Sequence, residues 1–337
     1  EMELNPIFNA GRGAVFTNEG KNELIDIVFT IDEKFTRFCA VAIASLLKHN
    51  KTEEICFHIV TDNLTEKSKT ILSELAKQSG ACTYFYHVPK EKTEGYQVKA
   101  MSHRISLATF YRCMLPSLLP SQLSKAIYLD SDILVLDSIK EIWNTDLNNI
   151  AIAGIEEARS KEDKHCDRLG YAPSYRYINA GVLLINLDYW RKYNIEEKCR
   201  QYYAKNIDRM LYNDQDLLNA LLYDKKAVIP TRYNVQDAFY RKFNKGNSLP
   251  PEYKSTYQDA LLHPAILHYT NRKPWEYHCM HPLRKLFYDY QNLTPYAGQS
   301  VLNNPLKRIH RFIHLLPYLL GFKQKRYYSL STLRENQ

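Results

Sequence analysis

Two aspartates separated by one residue stand between two apolar runs. Asp130 and Asp132 follow the run 126–129, and a second apolar run, 133–136, comes directly after them. Two carboxylates at the end of a strand can reach one ion, and their oxygens suit a hard cation such as Mn²⁺ or Mg²⁺. Burying such acids is costly unless a positive charge neutralises them. The pattern predicts a divalent-metal site able to hold a diphosphate; the alternative is a solvated turn, where Asp is common.

A histidine and a basic pair in the last third of the chain offer matching chemistry. His268 ends the apolar run 265–267, and Arg272 and Lys273 follow it. Neutral imidazole is a good ligand for Mn²⁺, and the two cations could neutralise phosphate oxygens. An isolated histidine of this kind would be interpreted as a core residue bonded to a backbone carbonyl. Beside two aspartates and a basic pair, we expect His268 to be the third metal ligand.

Strands that alternate with helices must position these residues. The predicted strands are 25–31, 56–60, 83–88, 126–129, 151–155, 182–186 and 265–269. The predicted helices are 35–49, 64–78, 106–118, 188–206 and 214–223. This alternation predicts an α/β fold with a mainly parallel, Rossmann-like sheet flanked by helices. Ligands of such sheets bind at the carboxyl ends of the strands, which is where the aspartates lie.

The positive charge of the chain is concentrated at one end. The 45 Lys and Arg residues outnumber the 37 Asp and Glu residues, which gives a net charge of +8. The segment 299–337 carries seven basic residues and one acidic residue, so the rest of the chain is almost neutral. A nucleic-acid-binding protein would spread basic residues over its folded domain. We therefore expect no nucleic-acid partner, and instead a basic tail that meets an anionic membrane surface.

The tail also has the pattern of an amphipathic helix. Asn304 can cap it, Pro305 suits its first position, and we expect it to stop at Pro317. Its apolar face is formed by Leu306, Ile309, Phe312, Ile313 and Leu316. A basic amphipathic helix can lie in a membrane interface; the alternative is a helix packed on the catalytic body with solvated basic residues. We expect three regions: a lead-in at 1–24, a catalytic domain at 25–290 and a membrane-associating region at 291–337.

The cysteines and the hydropathy indicate a cellular location. The seven cysteines are odd in number and form no CxxC pair, which favours reduced thiols in the cytosol. Neither a signal peptide nor an apolar run of transmembrane length is recognisable. We expect a cytoplasmic protein held at the inner face of the cytoplasmic membrane.

Several segments together resemble the family-8 retaining glycosyltransferases of the GT-A fold, and especially the bacterial galactosyl- and glucosyltransferases of lipopolysaccharide and lipooligosaccharide cores. The matching segments run in order between about residues 25 and 290: 26–32, 105–112, 128–132, 179–186, 213–216 and 268–275. The resemblance implies a UDP-hexose donor, a metal cofactor, Mn²⁺ or Mg²⁺, and a glycan acceptor. It does not separate galactose from glucose.

The resemblance also implies roles for individual residues. Thr30, Ile31 and Asp32 would hold the uracil and ribose. Arg112 would contact the donor sugar or the diphosphate, and Lys273 would hold the diphosphate. Asp130, Asp132 and His268 would bind the metal. The residues implied to surround the transferred hexose are Asn179, Ala180, Asp214 and Gln215. Glu156 and Glu157 could also face the sugar, although a solvated loop is an equal interpretation.

Retention of configuration needs either a covalent intermediate or departure and attack on the same face. Gln215 occupies the implied position beside the anomeric carbon, but an amide is a poor nucleophile. We therefore expect same-face displacement, with Asp216 as electrostatic support and Asp214 either near the sugar or as a helix cap. The segment 239–258 is expected to be a loop near the acceptor.

Other functions remain open from the sequence alone. A metal-dependent nucleotide-sugar hydrolase could use the same aspartates but would need no acceptor. A non-catalytic sugar-binding module would show no turnover. Within the transferase interpretation, the acceptor could instead be a protein, a protein-linked glycan or a tyrosine of the chain itself.

Overall fold

The structure of the protein is a computed structural model. It describes residues 23–98, 106–158, 164–242 and 259–331. Almost all of the predicted lead-in, Ile105 of the family segment 105–112, most of the predicted acceptor loop at 239–258 and the end of the tail lie outside the described residues.

A seven-stranded sheet forms the centre of the molecule. Its strand order is β3-β2-β1-β4-β7-β6-β8. The strands are β1 (Ile25–Thr30), β2 (Ile55–Thr61), β3 (Cys82–His87), β4 (Lys125–Leu129), β6 (Ile152–Glu156), β7 (Ile178–Asn186) and β8 (Lys226–Val228). The pairs β1–β2, β2–β3, β1–β4 and β6–β8 are parallel, whereas β7 runs antiparallel to β4 and β6. The predicted α/β fold with a mainly parallel sheet is confirmed.

Helices cover both faces of this sheet. The α-helices that lie wholly within the described residues are α1 (Thr36–His49), α2 (Glu66–Lys77), α3 (Lys90–Thr93), α4 (Leu115–Leu118), α5 (Lys140–Trp143), α6 (His165–Leu169), α7 (Leu187–Lys192), α8 (Ile195–Asn206), α9 (Asn213–Leu221), α10 (Arg284–Gln291) and α11 (Pro305–Leu319). In β1, Ile27 and Phe29 pack into one core and Val28 into another, on the opposite face. Because the sheet is buried on both faces, its strands appear in the sequence as continuous apolar runs.

A small second sheet brings the two halves of the site together. It consists of β5 (Ile133–Val135), β9 (Val235–Gln236) and β10 (Ile266–His268), in the order β5-β10-β9. In the antiparallel pair of β5 and β10, His268 lies opposite Ile133. This register places His268 beside Asp132, the residue that precedes β5.

Two predicted helices differ from the observed ones. The helix predicted over 106–118 is a 3-10 helix, Leu107–Met114, followed by α4, because Pro116 lacks the N–H that a continuous α-helix would use. The helix predicted over 188–206 is divided into α7 and α8 at Asn194, whose φ of 52° is left-handed.

The C-terminal helix also departs from its prediction. It continues through Pro317 to Leu319 instead of stopping at Pro317. Proline so near the end removes one helical hydrogen bond, and the amide of Leu320 still bonds the carbonyl of Leu316. Within the described ranges, no helix combines the length and apolarity required to cross a bilayer.

Candidate active site

A cavity of about 790 Å³ opens where β1, β4 and β10 end. This volume is in the range of small-molecule binding sites. All but two of the residues that we expected to bind donor or metal, or to act in catalysis, line it: Thr30, Ile31, Asp32, Arg112, Asp130, Asp132, Asn179, Ala180, Asp214, Gln215, His268 and Lys273. The exceptions are Asp216 and Arg272.

Three of these side chains form a compact cluster of potential metal ligands. One ligand atom from each of Asp130, Asp132 and His268 lies within 4.8 Å of the other two. The Nε2 atom of His268 is 3.1 Å from Oδ1 of Asp132 and 3.8 Å from Oδ2 of Asp130. A Cβ atom on Gly181 would overlap Cε1 of His268 and lie 2.7 Å from Oδ2 of Asp130, so the cluster can close only over a glycine. Two carboxylates and one imidazole fit Mn²⁺ or Mg²⁺.

Lys273 is in direct contact with this cluster. Its ammonium forms an ion pair with Asp132 and donates a hydrogen bond of 2.6 Å to the carbonyl of Tyr269. Burial alone would raise the pKa of Asp132, but Lys273 and His268 outweigh it and hold that pKa well below its usual value. Asp132 is therefore ionised at neutral pH and ready to bind a cation.

Arg112 links the aspartate cluster to the other side of the cavity. Its Nη2 donates to Oδ1 of Asp130 at 2.9 Å, its Nε lies 2.9 Å from Oδ2 of Asp214, and its Nη1 donates to the carbonyl of Ala180 at 2.5 Å. The hydroxyl of Tyr128 donates to the same Asp130 oxygen at 2.8 Å and lies 3.0 Å from Oγ1 of Thr30. Much of the hydrogen-bonding capacity of Arg112 is thus used to orient two carboxylates.

Asp214 is buried beside this arginine and accepts a hydrogen bond from the hydroxyl of Thr109. Burial raises the pKa of Asp214 to about 6, while Arg112 and Thr109 act in the opposite direction. A carboxyl group with such a pKa changes its charge close to neutral pH.

A network of amides forms the wall of the cavity near Gln215. Its Oε1 accepts hydrogen bonds from the backbone amide of Ala180 at 3.0 Å and from Nδ2 of Asn179 at 3.2 Å. Nδ2 of Asn179 also donates to Oε2 of Glu157 at 2.8 Å. Glu157 lines the cavity, whereas the neighbouring Glu156 is buried and paired with Arg176 at 2.9 Å. The wall offers donors and acceptors of the kind that sugar hydroxyls need.

Asp216 lies elsewhere. It is fully buried and holds the segment before α9. Its carboxylate receives hydrogen bonds from Arg168 on both oxygens, from the hydroxyl of Tyr177 and from the amides of Leu211 and Tyr212. The structure does not bring this side chain to the cavity.

Of the remaining predicted residues, three line the cavity and one does not. Thr30, Ile31 and Asp32 line the cavity at the end of β1, and Asp32 caps the following 3-10 turn by accepting a 3.0 Å hydrogen bond from the amide of Lys34. Arg272 instead lies 2.6 Å from Nε2 of His278 and does not line the cavity. Tyr128, Thr109 and Asn234 contact the predicted site residues but were not predicted. Thr109 and Tyr128 lie in the family-like segments 105–112 and 128–132, whereas Asn234 lies in none of the matching segments.

A model of the family described as "Glycosyl transferase family 8" matches residues 26–279. This range includes the cavity and the residues that line it.

Individual proteins are similar over nearly the same range. General stress protein A of Bacillus subtilis strain 168 is 28% identical over 290 residues, which cover 85% of this chain and 98% of the relative. Lipopolysaccharide glucosyltransferase WaaO of Escherichia coli K12 is 26% identical over 330 residues, covering 94% of this chain and 93% of the relative.

A solved structure of galactosyltransferase LgtC, in complex with donor and acceptor sugar analogues, superposes with a TM-score of 0.74. It is 27% identical and covers 82% of this chain and 98% of its own chain. The predicted GT-A fold is confirmed by this similarity and by the topology of the sheet.

Proposed function

The chain belongs to glycosyl transferase family 8, and on that premise we propose that it transfers glucose or galactose from a UDP-sugar to a glycan with retention of configuration. The observation that carries the proposal is the cluster of Asp130, Asp132 and His268 in the wall of a cavity large enough for a nucleotide sugar.

In this proposal the donor lies across the cavity. Thr30, Ile31 and Asp32 hold the uridine at the end of β1, and the three ligands hold Mn²⁺ or Mg²⁺. The ion would supply positive charge to the diphosphate. Asn179, Ala180, Asp214 and Gln215 surround the hexose, and their amide and carboxylate groups bind its hydroxyls.

Lys273 stabilises the leaving group. Its ammonium pairs with Asp132, and from this position it would also contact an oxygen of the β-phosphate. A positive charge placed where negative charge develops lowers the barrier, particularly in a site from which water is excluded. Arg112 contributes indirectly, because it orients Asp130 and Asp214.

The environment of Gln215 favours same-face displacement. Two N–H groups already bind its Oε1, the atom that would have to attack the anomeric carbon in a covalent route. In the proposed step the bond from the anomeric carbon to the phosphate oxygen breaks, and a bond to the acceptor hydroxyl oxygen forms on the same face. The hydroxyl proton passes to the departing phosphate oxygen. Asp216 supports the step by positioning the segment before α9.

For the acceptor we propose the core of lipopolysaccharide or lipooligosaccharide, because the similar proteins WaaO and LgtC are named as a lipopolysaccharide glucosyltransferase and a galactosyltransferase. Residues 25–290 would form the catalytic domain of a cytoplasmic enzyme, and residues 291–337 a region that touches the inner face of the membrane.

The orientation of α11 supports this membrane contact. Arg311 donates hydrogen bonds to the carbonyls of Tyr277 and Cys279, at 2.5 and 2.8 Å, so a basic side chain docks the helix on the catalytic body. The apolar residues on the outer side are more than half exposed: Leu306, Ile309, Phe312 and Ile313. An apolar face turned outwards and flanked by basic residues suits an anionic membrane interface.

The test is release of UDP from UDP-glucose and UDP-galactose, with Mn²⁺ or with EDTA, in the presence and absence of a lipopolysaccharide core acceptor. We expect metal-dependent release with one donor, stimulated by the acceptor. Metal-dependent release of UDP that the acceptor does not stimulate would favour a nucleotide-sugar hydrolase. Binding of UDP-sugar without turnover under any condition would contradict an enzymatic function.

A further inference from the structure

A buried asparagine lies behind the cluster of potential metal ligands. Asn234 is fully buried and does not line the cavity. Its Oδ1 is 2.9 Å from Nδ1 of His268, and its Nδ2 donates to Oδ1 of Asn179 at 2.8 Å. It thus joins a potential metal ligand to a residue beside the expected position of the hexose.

Backbone geometry fixes the orientation of both amides. The N–H of Gly181 points at Oδ1 of Asn179 from 3.0 Å, and a backbone N–H can only donate. That atom of Asn179 must therefore be the carbonyl oxygen. The atom of Asn234 that faces it must in turn be the nitrogen, since two carbonyl oxygens would repel each other. The Oδ1 of Asn234 consequently faces His268.

An accepting oxygen beside Nδ1 determines where the imidazole carries its proton. Nδ1 of His268 must donate to Oδ1 of Asn234, so the lone pair of a neutral imidazole lies on Nε2. Nε2 is the nitrogen that faces Asp130 and Asp132. Donation of the Nδ1 proton to a carbonyl oxygen also makes Nε2 a stronger ligand for a metal ion.

We infer that Asn234 is a positioning residue for the transfer reaction: its carbonyl selects the tautomer of His268 that can bind a metal ion, and its amide fixes Asn179 beside the hexose. The inference rests on the proposed function, because it needs His268 to be a metal ligand. It adds that metal binding and sugar binding share one buried side chain.

Substitutions can distinguish the role of the Asn234 carbonyl oxygen from that of its amide nitrogen. Asn234→Asp keeps an oxygen for Nδ1 of His268 but loses the donor to Asn179, and Asn234→Leu loses both. We expect Asn234→Leu to weaken Mn²⁺ binding about 10- to 100-fold, as loss of an outer partner of a ligating histidine usually does. Asn234→Asp should bind Mn²⁺ within a few-fold of wild type and raise the KM for the UDP-sugar more than it lowers kcat.

Mn²⁺ binding is measured on the full-length chain by the electron paramagnetic resonance signal of the free ion, without turnover. Asn50→Leu is the matched control, because Asn50 is a buried asparagine that bonds Leu46, Asp137 and Ile139 instead of the site. This variant should bind Mn²⁺ like wild type. Circular dichroism establishes that each variant is folded.

The outcomes separate this inference from the proposed function. If the wild-type protein does not bind Mn²⁺, or if Asp132→Asn leaves Mn²⁺ binding unchanged, the proposed metal site is wrong. If wild type binds Mn²⁺ through Asp132 but folded Asn234→Leu binds it equally well, Asn234 does not position His268. Equal loss of Mn²⁺ binding in Asn234→Asp and Asn234→Leu would also overturn the inference, since the retained oxygen would then have no effect.

Discussion

His268 Nε2 lies 3.1 Å from Asp132 Oδ1 because β10 pairs with β5, the strand that begins directly after the two aspartates. Removing one carboxylate from this cluster should therefore abolish Mn²⁺-dependent transfer. We expect Asp132→Asn to lower kcat/KM at least about 100-fold, the upper end of what loss of an outer ligand partner costs. UDP release with saturating Mn²⁺ measures the effect.

Asp137→Asn is the control for this substitution. Asp137 is a half-exposed aspartate that pairs with Arg232 outside the cavity. Its variant should keep wild-type activity. Near-normal activity in a folded Asp132→Asn protein would remove the metal-site hypothesis.

The glycine beneath the cluster gives a steric prediction. Gly181→Ala would place a methyl group against two atoms of His268 and one of Asp130, and both side chains are held by other contacts. We expect Mn²⁺ affinity and activity to fall at least tenfold while the sheet still forms. Gly154→Ala is the matched control, because the atoms nearest to its methyl group would be those of Leu183, Ile178 and the carbonyl of Val182, at 3.0 to 3.4 Å, and none of these belongs to the cluster.

Gly154→Ala should lower the free energy of unfolding by about 1–3 kcal/mol, as overpacking of a core does, and leave Mn²⁺ affinity unchanged. Isothermal calorimetry with MnCl₂ and urea denaturation separate these effects. Equal Mn²⁺ affinity in Gly181→Ala and wild type would show that the three ligands do not close over Gly181.

The pKa of Asp214 predicts a pH dependence of activity. Burial raises this pKa to about 6, so the group loses its charge as the pH falls through about 6. If the ionised form binds a hexose hydroxyl, kcat/KM should decline below pH 6. Asp214→Asn should remove this acid limb of the pH profile and lower the plateau value of kcat/KM. A pH profile of kcat/KM for both proteins is the measurement; an unchanged acid limb in Asp214→Asn would assign it to another group.

Lys226 predicts a pH dependence of stability. It is largely buried, and burial lowers its pKa from 10.5 to about 7. Between these values the unfolded chain binds the proton more tightly, so the stability associated with Lys226 is present above about pH 10.5 and is lost as the pH falls through 7. Lys226→Met should therefore raise the free energy of unfolding by about 1–2 kcal/mol at pH 6, and by less at pH 9.

The substitution leaves no unpaired partner behind. Asn219 accepts from Lys226 at 2.7 Å but also from the backbone amide of Ile178 at 2.8 Å, so its oxygen stays bonded. The hydroxyl of Tyr171 accepts from Lys226 at 3.5 Å and still donates to the carbonyl of Arg176 at 3.2 Å.

The neighbouring Lys225, whose side chain is 43% exposed and pairs with Asp224 at 3.2 Å, supplies the control variant Lys225→Met, which should change the free energy of unfolding at either pH much less than Lys226→Met does at pH 6. Urea denaturation at the two pH values tests the prediction, and a loss of stability at pH 6 in Lys226→Met would contradict it.

The sequence predicted the parts of the site that lie at strand ends. Asp130, Asp132 and His268 follow apolar runs, and the ends of such strands meet at one edge of the sheet. Asp216 was misplaced because successive residues of a helix are about 100° apart, so Asp214 and Asp216 point to nearly opposite sides of α9. Asn234 could not be found, because its role depends on the register of β9 with β10, which a single sequence does not encode in any local pattern.

The exposed face of α11 gives the last prediction. Ile309 and Phe312 are 53% and 60% exposed, and burying an apolar side chain of this size contributes about 1.5–3 kcal/mol. The double variant Ile309→Asp/Phe312→Asp should therefore reduce binding to vesicles containing an anionic lipid at least tenfold. Activity on a soluble acceptor should change little, since neither residue lines the cavity.

Leu293→Asp is the control, because Leu293 is 50% exposed but lies outside α11. Its vesicle binding should equal that of wild type, and deletion of 305–337 should resemble the double variant. Co-sedimentation with neutral and anionic vesicles distinguishes an apolar contribution from a basic one. Unchanged binding of the double variant to anionic vesicles would mean that the apolar face of α11 does not enter the membrane, and that charge alone or another surface holds the protein there.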